Sequence, residues 1–355
     1  MNWEINDLLS STTITPKFTF TPRCACFDLD STLIKTKSGK KFPKDENDWI
    51  FFSPNVLPKL KELHKADYCI IIITNQSGLS NETKRIVWKK KVDEIVKQIA
   101  LPIKLFCSIA HDIYRKPLPA ITTKHIQPNI SIDFTRSFYC GDACGRPGDH
   151  SDCDYKFALN SNLNFKLPEE LFDNNITALP KIIYQPFIEI QQKPINPPFT
   201  PNINEIILMI GPPGSGKSKY ATEILVPLNY VRINRDTLKT PAKCLKEAKK
   251  AIDEHKNVVI DNTNYDIKNR LPYIKLAQSH NYTVRCIIME TSHALSSHNA
   301  TYRFYKGIAP IIPEIAYRIY KKNYSEPTLD EGITEIIKIS PPNTNTDPIY
   351  KLYLT

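Results

Sequence analysis

Eight short apolar runs alternate with long charged stretches, and this alternation constrains the fold more than any other feature of the chain. ACFDLD, YCIIIIT, IKLFCSIA and SFYCGD lie in the first half, and EIILMIG, NYVRIN, NVVID and VRCIIME in the second. Between them lie stretches such as NETKRIVWKKKVDEIVKQIA and TPAKCLKEAKKAIDEH, long and polar enough to be surface helices. Strands separated by helices pair in parallel through crossovers, so an α/β architecture is predicted, with a mostly parallel sheet flanked by helices in each of two domains. A chain of 355 residues, 41% hydrophobic, can bury two such cores. The predicted division is residues 1–180, a proline-containing linker over 181–204, and residues 205–355. In the linker, Pro194, Pro197, Pro198 and Pro201 favour an extended, semi-rigid path. Pro341, Pro342 and Pro348 argue against a helix in the tail.

The run IILMI leads into GPPGSGKS. Gly211, four intervening residues, Gly216, Lys217 and Ser218 fit the P-loop pattern, in which backbone N–H groups around Gly211, Gly214, Ser215 and Gly216 curl round the phosphates of ATP. Lys217 reaches the outer phosphates and Ser218 ligates Mg2+. The alternative is a glycine-rich turn that binds nothing, against which stands the order strand, loop, Lys-Ser, helix.

Further on, RINRDTL and VVIDNTN place Asp236 and Asp261 after apolar runs. Asp236 can accept the proton of a hydroxyl attacking the γ-phosphate, and Asp261 can stand near the metal. Either can instead cap a helix, since Asp before Thr or Asn is a common N-cap. Arg303, in SSHNATYRFYKG, sits on a helix-like stretch able to fold over a nucleotide, or is a solvated surface charge.

The upstream string FDLDSTLI calls for different chemistry. In DxDxT the first carboxylate, Asp28, can attack phosphorus, while Asp30 protonates the departing oxygen and later activates water. Such a site must neutralise a dianion beside a carboxylate, which requires a metal and a cation. Thr74 can hold a phosphate oxygen and Lys116 can neutralise it. Asp142 can hold Mg2+ with Asp28 and the backbone carbonyl of Asp30, and Asp154 can support it from behind. Taken singly, each residue also reads as a turn or a solvated charge. Together they end strand after strand, where open α/β sheets bind ligands.

The order FDLDSTLI, KSGKKFP, DW, ITNQSG, YRKP, GDACGRPGD and FALN, then GPPGSGKS, NRDTL, IDNTN and EPTLDEG, resembles the bifunctional polynucleotide kinase 3'-phosphatase family from about Trp3 to Ile339. The resemblance implies a haloacid-dehalogenase-like phosphatase followed by a P-loop kinase, which together convert 3'-phosphate and 5'-hydroxyl ends into ligatable ones. By motif match, Asp28, Asp30, Thr74, Lys116 and Asp142 take the phosphatase roles, and Lys217, Ser218 and Asp236 the kinase roles. Ser31 stands where this family more often has Gly, Ser77 where a larger apolar residue is common, and the lid lacks one expected arginine. No stretch before Cys24 is long enough for the phosphopeptide-binding domain of the animal enzymes. The competing reading is a fused kinase and phosphatase acting on a small phosphorylated metabolite.

A net charge of +10 suits a polyanionic partner, DNA ends or RNA. Part of that charge lies in WKKKVDEIVK, which reads as a solvated helix face. The nine cysteines are scattered without a CxxC pair and read as reduced, mostly buried thiols. MNWEINDLL has neither the basic start nor the apolar core of a secretion signal, and no run spans a bilayer. A soluble intracellular monomer is expected, nuclear in a eukaryote and otherwise cytoplasmic or viral.

Overall fold

The computed structural model describes residues 1–5, 8–191, 199–340 and 345–355. They divide into two units, residues 1–183 with 352–354 and residues 184–351 with 355.

In the first unit the strands β1 (Asn2–Ile5), β2 (Leu9–Thr12), β3 (Arg23–Phe27), β6 (Tyr68–Asn75), β7 (Ile103–Ser108), β8 (Phe138–Cys140) and β9 (Asn164–Lys166) form a sheet in the order β1-β2-β7-β6-β3-β8-β9. A small hairpin, β4 (Ile34–Lys35) with β5 (Ile50–Phe51), stands apart. The five strands from β7 to β9 are parallel, and β1 and β2 extend one edge antiparallel. Buried on both faces, β3 and β6 carry near-continuous apolar runs. The helix Val56–Lys65 turns Val56, Leu60 and Leu63 onto the same core as Ala25, Phe27, Ile70 and Ile72. Each such fully buried side chain contributes about 1.5–3 kcal/mol of transfer free energy. The helix Glu82–Ile99 opens at Asn81, whose side chain accepts from the Lys84 N–H, and closes at Ala100 in the left-handed region.

The second unit holds β10 (Glu205–Ile210), β11 (Val231–Asn234), β12 (Val258–Asp261), β13 (Thr283–Met289) and β14 (Glu335–Ile339) in the order β11-β12-β10-β13-β14, all parallel. The middle strand, β10, is buried along its whole length and delivers the loop at Gly211. Capping residues open the helices Pro241–Asp253 (Thr240), Ile267–Gln278 (Asp266) and His293–Tyr305 (Ser292).

All eight apolar runs are strands, and all eight pair in parallel. The stretch 181–204 is not linker throughout, because Gln185–Gln191 is helical and belongs with the second unit. The expected extended path at Pro194, Pro197 and Pro198 lies outside the described residues, as do Pro341 and Pro342; Pro348 opens a short 3-10 turn, Pro348–Lys351. Among the described residues, no helix is long and apolar enough to cross a membrane.

Candidate active sites

Parallel pairing brings the carboxyl ends of β3, β6 and β8 together, and with them Asp28, Thr74 and Asp142. Lys116 reaches the same place from the loop after β7. Its ammonium is buried and donates to Asp28 Oδ1 (2.7 Å), Asp154 Oδ1 (2.8 Å) and the Tyr139 hydroxyl (2.7 Å). Three acceptors exhaust the three N–H bonds of a lysine. Tyr139, fully buried on β8, extends the network to the Ile73 carbonyl (3.1 Å) and Asp154 Oδ1 (3.2 Å). Although burial opposes its charge, Asp154 and Asp28 hold Lys116 well above the usual lysine range.

Carboxylate oxygens of Asp28, Asp142 and Asp154 lie within 4.8 Å of one another. Burial pushes Asp28 up to about 8, with Lys116 opposing and Asp154 and Asp142 reinforcing. Asp142 is pushed up to about 6 by burial and by Asp154. Three carboxylates facing one lysine leave the cluster short of positive charge, and all the donors are hard oxygens. This set fits Mg2+, which takes oxygen ligands and reverses the cost of gathering carboxylates.

Asp30 is outside that cluster. Its Oδ2 accepts from Gln76 Nε2 (2.6 Å), which also reaches Thr74 Oγ1 (3.1 Å), and its Oδ1 pairs with Lys91 Nζ (3.3 Å). Reading WKKKVDEIVK as a solvated face is therefore corrected at one position. Lys91 is only 6% exposed, because it falls on the stripe Trp88, Lys91, Val92, Ile95, Ile99 that packs on the sheet. The i, i+3, i+4, i+7 spacing carried that signal, and the composition of the run concealed it.

The strings that looked most family-specific have structural reasons. A Cβ on Gly141 would lie 2.5 Å from Asp154 Oδ2, so only glycine lets Asp154 approach. In GRPGD, Arg146 donates to the Asp142 carbonyl (3.1 Å) and pairs with Asp149 and Glu169, while Asp149 Oδ2 accepts from the N–H groups of Cys144 (3.0 Å) and Arg146 (3.1 Å). The loop behind Asp142 is thus locked. In FALN, Asn160 donates to the Pro117 carbonyl (2.8 Å) beside Lys116 and exchanges two hydrogen bonds with the backbone of Tyr353 (2.8 Å each). Ser31, flagged for lacking glycine, adopts φ 59°, the left-handed region that favours glycine.

In the second unit, Gly211 to Ser218 link β10 to the helix Lys217–Tyr220. Gly214 (φ 80°) passes so close to the helix His293–Tyr305 that a Cβ there would lie 2.1 Å from the Ser296 carbonyl oxygen. Asn299 Nδ2 donates to the Gly214 carbonyl (3.0 Å) and Thr291 Oγ1 to the Ser215 carbonyl (3.0 Å). Lys217 folds back on the carbonyls of Gly211 and Pro212 (2.7 Å each), and burial lowers it to about 8 against Asp261 and Asp236. Ser218 is exposed.

Capping does not account for Asp236. Asn234 caps its helix by accepting from the Thr237 N–H (3.2 Å), which leaves the Asp236 carboxylate exposed in the first turn. Asp261 is buried and engaged by Arg232 (2.5 and 2.8 Å) and Asn234 (3.1 Å), partners that no motif announces. Arg303 is exposed and lies four residues beyond Asn299 and seven beyond Ser296, on the stripe that faces the loop.

Paired aspartates with a motif lysine at parallel strand ends, joined in one chain to a phosphate loop on a second parallel sheet, define a haloacid-dehalogenase-like phosphatase coupled to a P-loop kinase. The family model described as polynucleotide kinase 3 phosphatase matches residues 23–172, and one described as AAA domain matches residues 239–327. The chain is 36% identical over 345 residues to the bifunctional polynucleotide phosphatase/kinase of Schizosaccharomyces pombe, covering 96% of this chain and 84% of that protein. It is 37% identical over 365 residues to the putative bifunctional polynucleotide phosphatase/kinase of Acanthamoeba polyphaga mimivirus, covering 90% and 85%. The polynucleotide 3'-phosphatase ZDP of Arabidopsis thaliana is 36% identical over 174 residues, covering 44% of this chain and 25% of that protein. The chain belongs to the bifunctional polynucleotide phosphatase/kinase family.

Proposed function

We propose that this chain heals nucleic-acid ends, removing 3'-phosphates in its first unit and phosphorylating 5'-hydroxyls from ATP in its second, in the repair of DNA strand breaks. The observation that carries the reading is the Lys116-bridged pair of Asp28, at the end of a parallel strand, and Asp154, in the first turn of the helix Cys153–Asn160, with Asp142 alongside.

In the phosphatase, Asp28 attacks phosphorus while Asp30 gives its proton to the departing 3'-oxygen; Asp30 then takes a proton from the water that releases phosphate from Asp28. Thr74 and Lys116 contact the phosphoryl oxygens, for which Lys116 gives up one of its three present acceptors. Mg2+, held by Asp28, Asp142 and the Asp30 carbonyl with Asp154 behind them, supplies charge neutralisation when bound. In the kinase, the backbone of Gly211 to Gly216 and the Lys217 ammonium bind the phosphates of ATP, and Ser218 offers a metal ligand. Asp236 accepts the proton of the 5'-hydroxyl, and Arg303 balances charge on the transferring group. The phosphatase role falls to the unit of residues 1–183 with 352–354, and the kinase role to that of residues 184–351 with 355. A chain of net charge +10 acting as a monomer on DNA or RNA ends completes the reading.

The test uses two labelled oligonucleotides, one with a 3'-phosphate and one with a 5'-hydroxyl, incubated with protein and Mg2+, with and without ATP. Loss of the 3'-phosphate in both conditions and ATP-dependent gain of 5'-phosphate is the expected result. If neither DNA nor RNA ends change while small phosphorylated metabolites turn over, the metabolite reading replaces this one.

A further inference from the structure

We infer that Lys91 is a positioning residue for the phosphatase, fixing the Asp30 carboxylate for proton transfer to the 3'-oxygen. The inference rests on the reading of Asp30 as the acid and base.

A lysine buried on the core stripe of a helix needs a partner that repays the loss of water. Lys91 Nζ is hydrogen-bonded to Asp30 Oδ1 at 3.3 Å. Lys116 cannot do this job, since its three N–H bonds are committed to Asp28, Asp154 and Tyr139. The site therefore gives each working carboxylate its own buried cation, Lys116 for Asp28 and Lys91 for Asp30. Gln76 completes the arrangement by joining the other Asp30 oxygen to Thr74, the residue read as a phosphate contact.

Asp30 needs such an anchor. Its side chain is 47% exposed, while that of Lys91 is 7% exposed. Without Lys91 the carboxylate keeps only the Gln76 hydrogen bond against turning towards water about its two side-chain torsions. In the first step the Asp28 oxygen bonds to phosphorus, the bond from phosphorus to the 3'-oxygen breaks, and the Asp30 proton moves to that oxygen. In the second, a water oxygen bonds to phosphorus, the bond to Asp28 breaks, and the water proton returns to Asp30. Both transfers require the Asp30 oxygen within hydrogen-bond reach of the moving proton. A group that fixes Asp30 therefore acts on kcat, and acts most where the leaving oxygen cannot depart without a proton.

This dependence supplies the test. A sugar 3'-alkoxide is a poor leaving group unless protonated, whereas 4-nitrophenolate departs without help. Lys91→Met is compared with the unaltered chain on a 3'-phosphate oligonucleotide and on 4-nitrophenyl phosphate, both with Mg2+. Positioning general acids contributes about 10²-fold or more, so kcat on the oligonucleotide is expected to fall roughly 10- to 100-fold, with KM and the single-turnover rate of 4-nitrophenolate release, which reports the first step alone, changed by less than about threefold. Lys91→Arg, which keeps the cation, is expected to recover part of the lost kcat, and the single-turnover 4-nitrophenolate release of the same preparation reports folding of the first unit. An equal loss in the single-turnover release of 4-nitrophenolate, or an oligonucleotide rate that is unchanged or raised, overturns the inference. If the unaltered chain hydrolyses neither substrate, the phosphatase reading itself falls, which is distinguishable from failure of the Lys91 role.

Discussion

Replacing Gly214 by alanine tests whether the loop on β10 is held by the helix behind it. The new Cβ would stand 2.1 Å from the Ser296 carbonyl oxygen and 3.0 Å from its carbon, against backbone that cannot rotate away. Relief requires the loop and the helix His293–Tyr305 to part by about 1 Å, enough to weaken the hydrogen bond from Asn299 to the Gly214 carbonyl, worth about 1 kcal/mol. The left-handed backbone adds about 1–2 kcal/mol for a residue with a side chain. Alanine recovers about 0.4–1 kcal/mol by restricting the unfolded chain, so the net loss is about 1–3 kcal/mol. Function is expected to suffer more than stability, because a 1 Å misplacement of a reacting group can cost about 10²-fold. The assay is kcat/KM for ATP on a 5'-hydroxyl oligonucleotide, with 3'-phosphatase activity of the same sample as internal control. Gly307→Ala separates the two causes. At φ 69° it carries the same backbone strain, but with nothing within 4 Å of the added Cβ, so kinase activity is expected to persist. Should Gly214→Ala phosphorylate ends within about threefold of the unaltered chain, the packing argument is wrong.

Lys116→Met removes the one cation shared by Asp28 and Asp154, and breaking a buried pair in this way costs about 3–5 kcal/mol. Urea denaturation of the first unit should show that loss together with abolished phosphatase activity and intact kinase activity; an unshifted midpoint would mean the cluster does not depend on the lysine. His298 is fully buried, donates Nε2–H to the Tyr350 carbonyl (3.0 Å), and therefore accepts the Tyr184 hydroxyl at Nδ1 (2.9 Å). Burial lowers it from 6.5 to about 4, so between those values the unfolded chain binds the extra proton, and about 3 kcal/mol is lost as pH falls across that window. Melting of the ATP-protected transition from pH 7.5 to 4.5 should be steeper than in His298→Gln; parallel curves would remove the imidazole from the account.

Whereas the parallel strands Asn164–Lys166 and Glu335–Ile339 did not stand out, the eight expected strands were legible because each is a largely apolar run. The edges were not. Asn2–Ile5 and Leu9–Thr12 carry too few apolar residues to stand out, and Ser10 and Ser11 are buried only through pairing with β7. The same logic divides the site residues. Asp28, Thr74 and Asp142 announce themselves at strand ends, and Lys116 by its place in YRKP. Lys91 sits among Lys89 and Lys90, where composition suggests solvent and helical phase alone sends one of the three inward. Tyr139 looks like one more aromatic in FYC, and only the folded chain shows its hydroxyl on Lys116. At Asp236 the sequence left a cap and a base open, and the side chain of Asn234 decides which residue caps.

Asn160 grips residue 353, and residues 352–354 belong with the first unit although 168 residues of the second separate them from residue 183. This has a meaning for synthesis on the ribosome. At about 5–20 residues per second, everything up to residue 183 emerges some 8–34 s before its last strap is made. During that interval the Asn160 side chain, which also steadies the backbone beside Lys116, lacks one of its partners. The strap on Asn160 is thus made only after the whole second unit, and a ribosome that stalls between residues 183 and 353 leaves the first-made unit without it.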